Sequence, residues 1–193
     1  MIERNLQKEK RIYIKMNGFS LIEILVTASL ISISLIAILG SFAQLVKADA
    51  MADNKAIALY LSQEGIEAVR NIRDSNWLDE NLDWNEGISN GNFILLLNLT
   101  TGEWTLEEVG LGNKWKTQVY YDPDDNLFLQ SKYKNPPQLP ATWRKTNFFR
   151  EIIIEKYDPE GLNIESFIVQ SKVWFGDNEG NAIIAEEYFC NWQ

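Results

Sequence analysis

The chain has 193 residues, 46 % of them apolar, a net charge of −9, no histidine and a single cysteine. Without histidine the commonest general base near neutral pH and the commonest metal ligand are missing, and an acidic balance does not suit nucleic-acid phosphates, which draw on Lys and Arg clusters. Cys190 has no intrachain partner for a disulfide, and its expected state is a small packed hydrophobe.

Residues 1–18 set Arg4, Lys8, Lys10, Arg11 and Lys15 against Glu3 and Glu9, a net of +3. Ile24 to Val46 follows, twenty-three residues without a charged side chain. As a helix this run spans roughly 34 Å at ~1.5 Å per residue, enough for a bilayer core of roughly 30 Å. The positive-inside rule leaves the basic end in the cytoplasm and puts everything beyond Val46 outside. Glu23 stands where the apolar run begins, and a lone carboxylate there costs up to several kcal/mol, depending on depth. A partner is therefore expected. If the chain is cut between Gly18 and Phe19, the new terminal ammonium at Phe19 can pair with Glu23, within one chain or between neighbours, so that neither group enters apolar surroundings alone.

Around these residues the sequence Gly18-Phe19-Ser20-Leu21-Ile22-Glu23 resembles the cleavage and methylation motif of the type IV prepilin family, which includes the pseudopilins of type II secretion and the competence pilins. The resemblance implies that a prepilin peptidase of the membrane cuts after Gly18 and N-methylates Phe19. It further implies that Glu23 guides the subunit into a filament by neutralising a neighbour's terminal amine. The implied partners are the peptidase, other pilin or pseudopilin subunits, the pilus assembly platform and the cytoplasmic membrane. The implied itinerary is a single-pass membrane protein that later joins a cell-surface filament. The alternative is a signal-anchored or secreted protein cut after Ala50, because Ala48-Asp49-Ala50 fits the small-x-small pattern. Signal cores of about 7 to 15 residues are shorter than this run, however.

Removing the leader takes the charged residues from 18 basic and 27 acidic to 13 and 25, a mature net of −12, so direct nucleic-acid binding is not expected. The helical reading continues past Val46 to about Arg73, since no proline or turn cluster intervenes before Asp74-Ser75-Asn76. Gly40, within the apolar run, weakens a helix by about 1 kcal/mol against alanine, although small residues also serve close helix packing in membranes. Over residues 47–73, Ala50, Ile57, Leu61, Gly65, Ala68 and Ile72 form a narrow stripe flanked by Ala58 and Val69, the face a sheet would cover. Lys55, Gln63, Glu67, Arg70 and Arg73 lie opposite. Leu59 and Ile66 fall near the polar side, as incidental exposed residues or contacts with neighbouring subunits.

Asp74 to Gly91 is acidic and turn-rich, a linker or surface loop with Trp77 and Trp84 as anchors onto the domain. Strand-like runs follow at residues 92–99, 103–109, 114–121 and 127–130, then an irregular loop at Pro136, Pro137 and Pro140, then strands at 147–157, 164–175 and 181–190 in a meander. In the middle one of the last three, Phe167, Val169, Val173 and Phe175 alternate with Ser166, Gln170 and Lys172, as in a half-buried antiparallel strand. Gly176-Asp177-Asn178-Glu179-Gly180 suits a five-residue hairpin loop.

The richest carboxylate cluster, Asp122-Pro123-Asp124-Asp125-Asn126, has the Asp-x-Asp-x-Asn spacing that opens an EF-hand loop. It lacks the following glycine and the bidentate glutamate, where Leu127 and Tyr133 stand. Asp122, Asp124 and Asn126 thus read as an acidic turn and only weakly as calcium ligands. No phosphate loop, nucleophile elbow or metal-spaced cysteines appear, so no enzyme and no cofactor are expected.

The closing series Phe149-Arg150-Glu151-Ile152-Ile153-Ile154, Val173-Trp174-Phe175 and Asn191-Trp192 also looks like the C-terminal half of minor pilins and minor pseudopilins. Together these readings describe an α+β pilin. Its parts are a leader at 1–18, an assembly helix at 19–46, its amphipathic continuation at 47–73 and a β-rich extracytoplasmic domain at 74–193. The expected function is structural, as a filament subunit of the minor kind, with a filament-tip adhesin as the other reading. Type IV pilus, type II secretion and competence machines are not distinguished by these residues.

Overall fold

The computed structural model describes residues 18, 20–110, 113–133, 139–157, 166–176 and 179–191. Residues 1–17 of the leader, Phe19, Pro136, Pro137, Ile164, Asp177, Asn178 and Trp192 lie outside the described residues, and so do the expectations attached to them. The chain divides into two units, residues 1–49 and 50–193.

One helix, α1, runs over Leu21–Leu78. The carbonyl of Ser20 accepts its first helical N–H groups, from Glu23 at 2.9 Å and Ile24 at 3.2 Å. The helix continues through Gly40 and past the expected stop near Arg73. Asn76, a turn-former by type, is buried and its Nδ2 donates to the carbonyls of Glu86 at 2.8 Å and Trp84 at 3.3 Å. Those bonds satisfy its amide and fold the following loop back onto the helix, so tertiary contact overrides local preference.

Seven strands follow: β1 (Gly91–Leu97), β2 (Trp104–Glu108), β3 (Gln118–Asp122), β4 (Leu127–Gln130), β5 (Arg144–Tyr157), β6 (Ser166–Phe175) and β7 (Ile183–Cys190). All pairings are antiparallel, and β5, β6 and β7 form the expected meander. The expected strand at 114–121 begins instead as a 3₁₀ turn over Lys114–Thr117. The result is α+β, a long N-terminal helix packed on an antiparallel sheet, consistent with a pilin architecture.

The sheet forks at β5. Along one edge β5 pairs with β6; along the other, β3 takes its first part and β1 takes Ile152–Ile154. A fork leaves backbone groups without a ladder partner, and buried groups of that kind are costly. Two buried glutamines close the gap. Gln130 Nε2 donates to the carbonyls of Arg150 (2.7 Å) and Thr117 (3.2 Å), and its Oε1 accepts from the Leu95 N–H (3.2 Å). Gln118 Nε2 reaches the carbonyls of Val119, Thr146 and Phe148 at 2.9 to 3.0 Å.

The helix covers one face of this sheet with Ala58, Leu61, Ser62, Gly65, Ile66, Ala68 and Val69. Two apolar clusters result. One joins Ile66, Ala68 and Val69 to Trp84, Phe93, Leu95, Ile152, Val169 and Phe189; the other joins Ala58 and Leu61 to Val119, Phe148 and Val173. The expected stripe is therefore shifted. Ala50 is exposed and Ile66, placed by periodicity near the polar side, is 6 % exposed and part of the core. Arg73 is a second correction: its guanidinium lies 4.6 Å from the Trp77 ring and 4.9 Å from that of Phe189, and its stem packs where a solvated face was expected.

Between the two clusters stands Arg150, on the same face of β5 as Phe148 and Ile152 and 0 % exposed. Its Nη1 donates to Glu64 at 2.6 Å and its Nε to Gln130 Oε1 at 3.0 Å. Burial pushes the Arg150 guanidinium below its ordinary range, and the neighbouring Glu64 carboxylate opposes that shift. One ion pair thus ties helix to sheet through the fork.

Candidate anchoring and assembly site

The residues singled out at the N terminus fall at the start of α1. Gly18 and Ser20 are exposed, and Glu23 is the acidic residue of the first helical turn, where a carboxylate is favoured by the helix dipole. Its carboxylate has no hydrogen-bond or ion-pair partner among the described residues. From Leu21 to Asp49 every residue is exposed, including Leu25, Ile31, Ile36, Leu39 and Phe42.

The hydroxyls of this stretch are satisfied locally. Thr27 Oγ1 donates to the Glu23 and Ile24 carbonyls, Ser29 to Val26, Ser32 to Ala28, Ser34 to Leu30 and Ser41 to Ala37, at 2.7 to 3.0 Å. Each polar side chain bonds back to a carbonyl three or four residues earlier, a pattern that lets Ser and Thr sit in a dry environment. The helix is long and apolar enough to cross a membrane by length and composition.

The remaining candidates sit elsewhere. At the β3–β4 turn, Asp122 Oδ1 accepts from the Asp124 N–H at 3.1 Å and its Oδ2 from Trp143 Nε1 at 2.8 Å. Asn126 holds φ at +56° and its Oδ1 accepts from the Tyr121 hydroxyl at 2.7 Å. These groups close a tight hairpin and tie it to Trp143, and no metal-holding cluster of acidic or cysteine side chains forms among the described residues. Trp84 is buried against Phe167, 5.8 Å between ring centres, and Trp77 packs on the same core, as anchors would. Cys190 is a half-buried free thiol at the end of β7. Leu59 is exposed, as expected, and beside it Tyr60 is 71 % exposed.

Two features were not read from the sequence. The Glu64–Arg150 pair joins residues far apart in the chain. A groove at the end of α1, lined by Asn71, Ser75, Asp79, Glu103 and Trp104 among others, depends on where β2 lies; the four-residue spacing of Asn71 and Ser75 on the helix is the signal that could have marked it.

No family model matches the chain, and neither a curated protein nor a solved structure is detectably similar to it.

Proposed function

We propose that this chain is a membrane-anchored structural subunit of a type IV pilus-like filament, of the minor pilin or pseudopilin kind. The observation that carries the reading is the first half of α1. From Leu21 to Val46 it exposes apolar side chains on all sides, its hydroxyls are folded back onto its own carbonyls, and Glu23 is the one charged residue. Such a surface needs lipid first, and copies of itself or related helices on leaving lipid, because apolar surface of this extent is not left in water. Glu23 then needs a cation, and the terminal amine of a neighbour cut before Phe19 supplies one. Pairing the two fixes the stagger between subunits.

Mass spectrometry of the mature N terminus tests the processing step. A chain that begins with N-methylated Phe19 supports the proposal; one that begins at Met51 replaces it with an ordinary signal cleaved after Ala50. For the assembly step, Glu23→Ala is expected to be cleaved normally yet to reach filaments at a small fraction of the wild-type level. Normal incorporation of that variant removes Glu23 from the mechanism.

A further inference from the structure

A groove of about 300 Å³ opens between the C-terminal turns of α1 and the start of β2, lined by Asn71, Ile72, Ser75, Asp79, Glu103 and Trp104, with Leu82 from the following loop. Asn71 and Ser75, spaced four apart, form a row along the last turns of α1, and Asp79, the first residue past its end, continues the lining. Opposite them stands the indole of Trp104, half-buried and packed against the main core cluster. A ring held in that way is a fixed wall.

The polar groups of the groove are oriented and partly unused. Asp79 Oδ1 accepts from the Asn81 N–H at 3.0 Å and from Asn81 Nδ2 at 2.9 Å, which leaves Oδ2 free. These bonds hold the Asp79 carboxyl below its ordinary range and so keep it ionised. Glu103 Oε2 accepts from Thr101 Oγ1 at 2.9 Å, which leaves Oε1. The Asn71 amide and the Ser75 hydroxyl make no hydrogen bond to any described residue.

We infer that this groove is a saccharide-binding subsite that takes a neutral hexose-type ring. An indole presents a π-face to the C–H side of a pyranose, while an amide, a hydroxyl and two carboxylate oxygens together offer both donors and acceptors to its hydroxyls. The volume falls at the small end of ligand sites, roughly 300–1,000 Å³, which suits one or two sugar rings. Asp79 and Glu103 repel uronic and sialic acids. A lysine or arginine side chain would use the carboxylates and the ring but leave Asn71 and Ser75 unmatched, whereas a polyol engages all of them. The inference rests on the groove alone and stands apart from the filament reading.

The test uses the full chain in phospholipid nanodiscs, free of sugar detergents. It is titrated with cellobiose, lactose, maltose and the N-acetylglucosamine dimer, with a glucuronic-acid disaccharide and N-acetyl-lysine amide as controls, followed by saturation-transfer NMR. At least one neutral disaccharide is expected to bind saturably. Asn71→Ala and Asp79→Ala, both at the surface, are expected to weaken it about ten-fold each with unchanged melting temperature. Trp104→Phe, which keeps a ring against the core, is expected to weaken it less than either. The inference is overturned if no neutral disaccharide saturates below about 10 mM, if the two alanine variants bind as the wild type does, or if only the lysine derivative or the uronic acid binds.

Discussion

Residues 21–49 and 50–78 belong to one helix, yet the first stretch buries none of its residues and the second buries eight. The first exposes apolar side chains around its whole circumference as far as Val46; the second buries one apolar side, leaves Leu59 and Tyr60 exposed, and pairs Glu64 with Arg150 and Arg70 with Glu187. Arg70 gains from that pair, since the bond to Glu187 raises its already high proton affinity. The second half therefore finds its partners inside the chain, whereas the first carries the same kind of surface with none. The difference separates residues that determine folding from residues whose partners must come from outside.

The largest expected effect tests this division with valines from the two halves. Val69 is 0 % exposed in the core, so Val69→Asp buries an unpaired charge and should cost at least about 4 kcal/mol, enough to unfold the sheet domain. Val26 is exposed, and Val26→Asp should leave the melting of that domain unchanged while lowering membrane integration, because an aspartate in a membrane span costs about 2.5–3.5 kcal/mol on insertion scales. Near-UV circular dichroism and carbonate extraction of membranes read the two effects separately. Equal melting for both variants would erase the distinction.

The carboxylates Glu64 and Glu23 sharpen the same contrast at a smaller scale. Glu64→Ala leaves the buried Arg150 guanidinium with only Gln130 and the Leu61 carbonyl. Breaking a fully buried pair costs about 3–5 kcal/mol. Glu64 is 35 % exposed, and screening lowers the expectation to about 2 kcal/mol by urea denaturation. Pairing Glu64→Gln with Arg150→Met should recover most of that loss. Glu23→Ala should leave the denaturation midpoint where it is, since Glu23 has no ion-pair partner among the described residues.

How far the chain could be read without coordinates follows the range of the interactions involved. Alternation in Phe167, Val169, Val173 and Phe175 marked β6 and its inward face because period-two burial is local. Leu127–Gln130 was placed within its structural bounds. The end of α1 was misplaced, since Asp74, Ser75 and Asn76 form turns by type and only the carbonyls of Trp84 and Glu86 make Asn76 helical. Ile66 was assigned outward because periodicity marks one narrow stripe, whereas the covered face also takes in Ile66 beside Gly65 and Val69. The fork at β5 was invisible, as it arises from pairing Gln118 and Gln130 with residues about twenty to thirty positions away. At the candidate site, Gly18 and Glu23 were legible as a short motif, while the groove of Asn71 and Trp104 needed two elements brought together.

Glycines give the next comparison. A Cβ at Gly65 would sit 2.1 Å from Ser171 Oγ and 2.9 Å from Ser171 Cβ, with Ile152 Cδ1 at 3.0 Å, while one at Gly40 would meet nothing within 4 Å. The helix and sheet approach closely at Gly65 because that residue has no side chain. Gly65→Val should destabilise by about 1–3 kcal/mol through overpacking, and Gly40→Val should change monomer stability by less than about 0.5 kcal/mol. Any effect of Gly40→Val should appear in filament yield instead, where small residues set how closely helices approach. A matched loss of melting temperature in both would mean that the first half has an intrachain partner after all.

The smallest effect concerns Asp79, just beyond the last turn of α1, which meets its needs within two residues of itself. The Asn81 backbone and side-chain N–H groups both favour its ionised form, and its folded proton affinity lies below the ordinary value for that reason. A carboxyl depressed in the folded state stabilises at pH values above its unfolded value, about 3.9. That contribution disappears as the pH falls through the lower folded value. Asn81→Ala removes the side-chain bond and loosens the turn that supplies the backbone bond, so the Asp79 midpoint should rise toward the unfolded value in a carboxyl-detected NMR titration. Melting above pH 5 should barely change, because the group is fully exposed and solvent replaces what the asparagine gave. A midpoint that stays depressed without Asn81 would assign the effect to the end of the helix. Asp79 would then depend on the second half of α1, as Glu64 does, and not on its immediate neighbours.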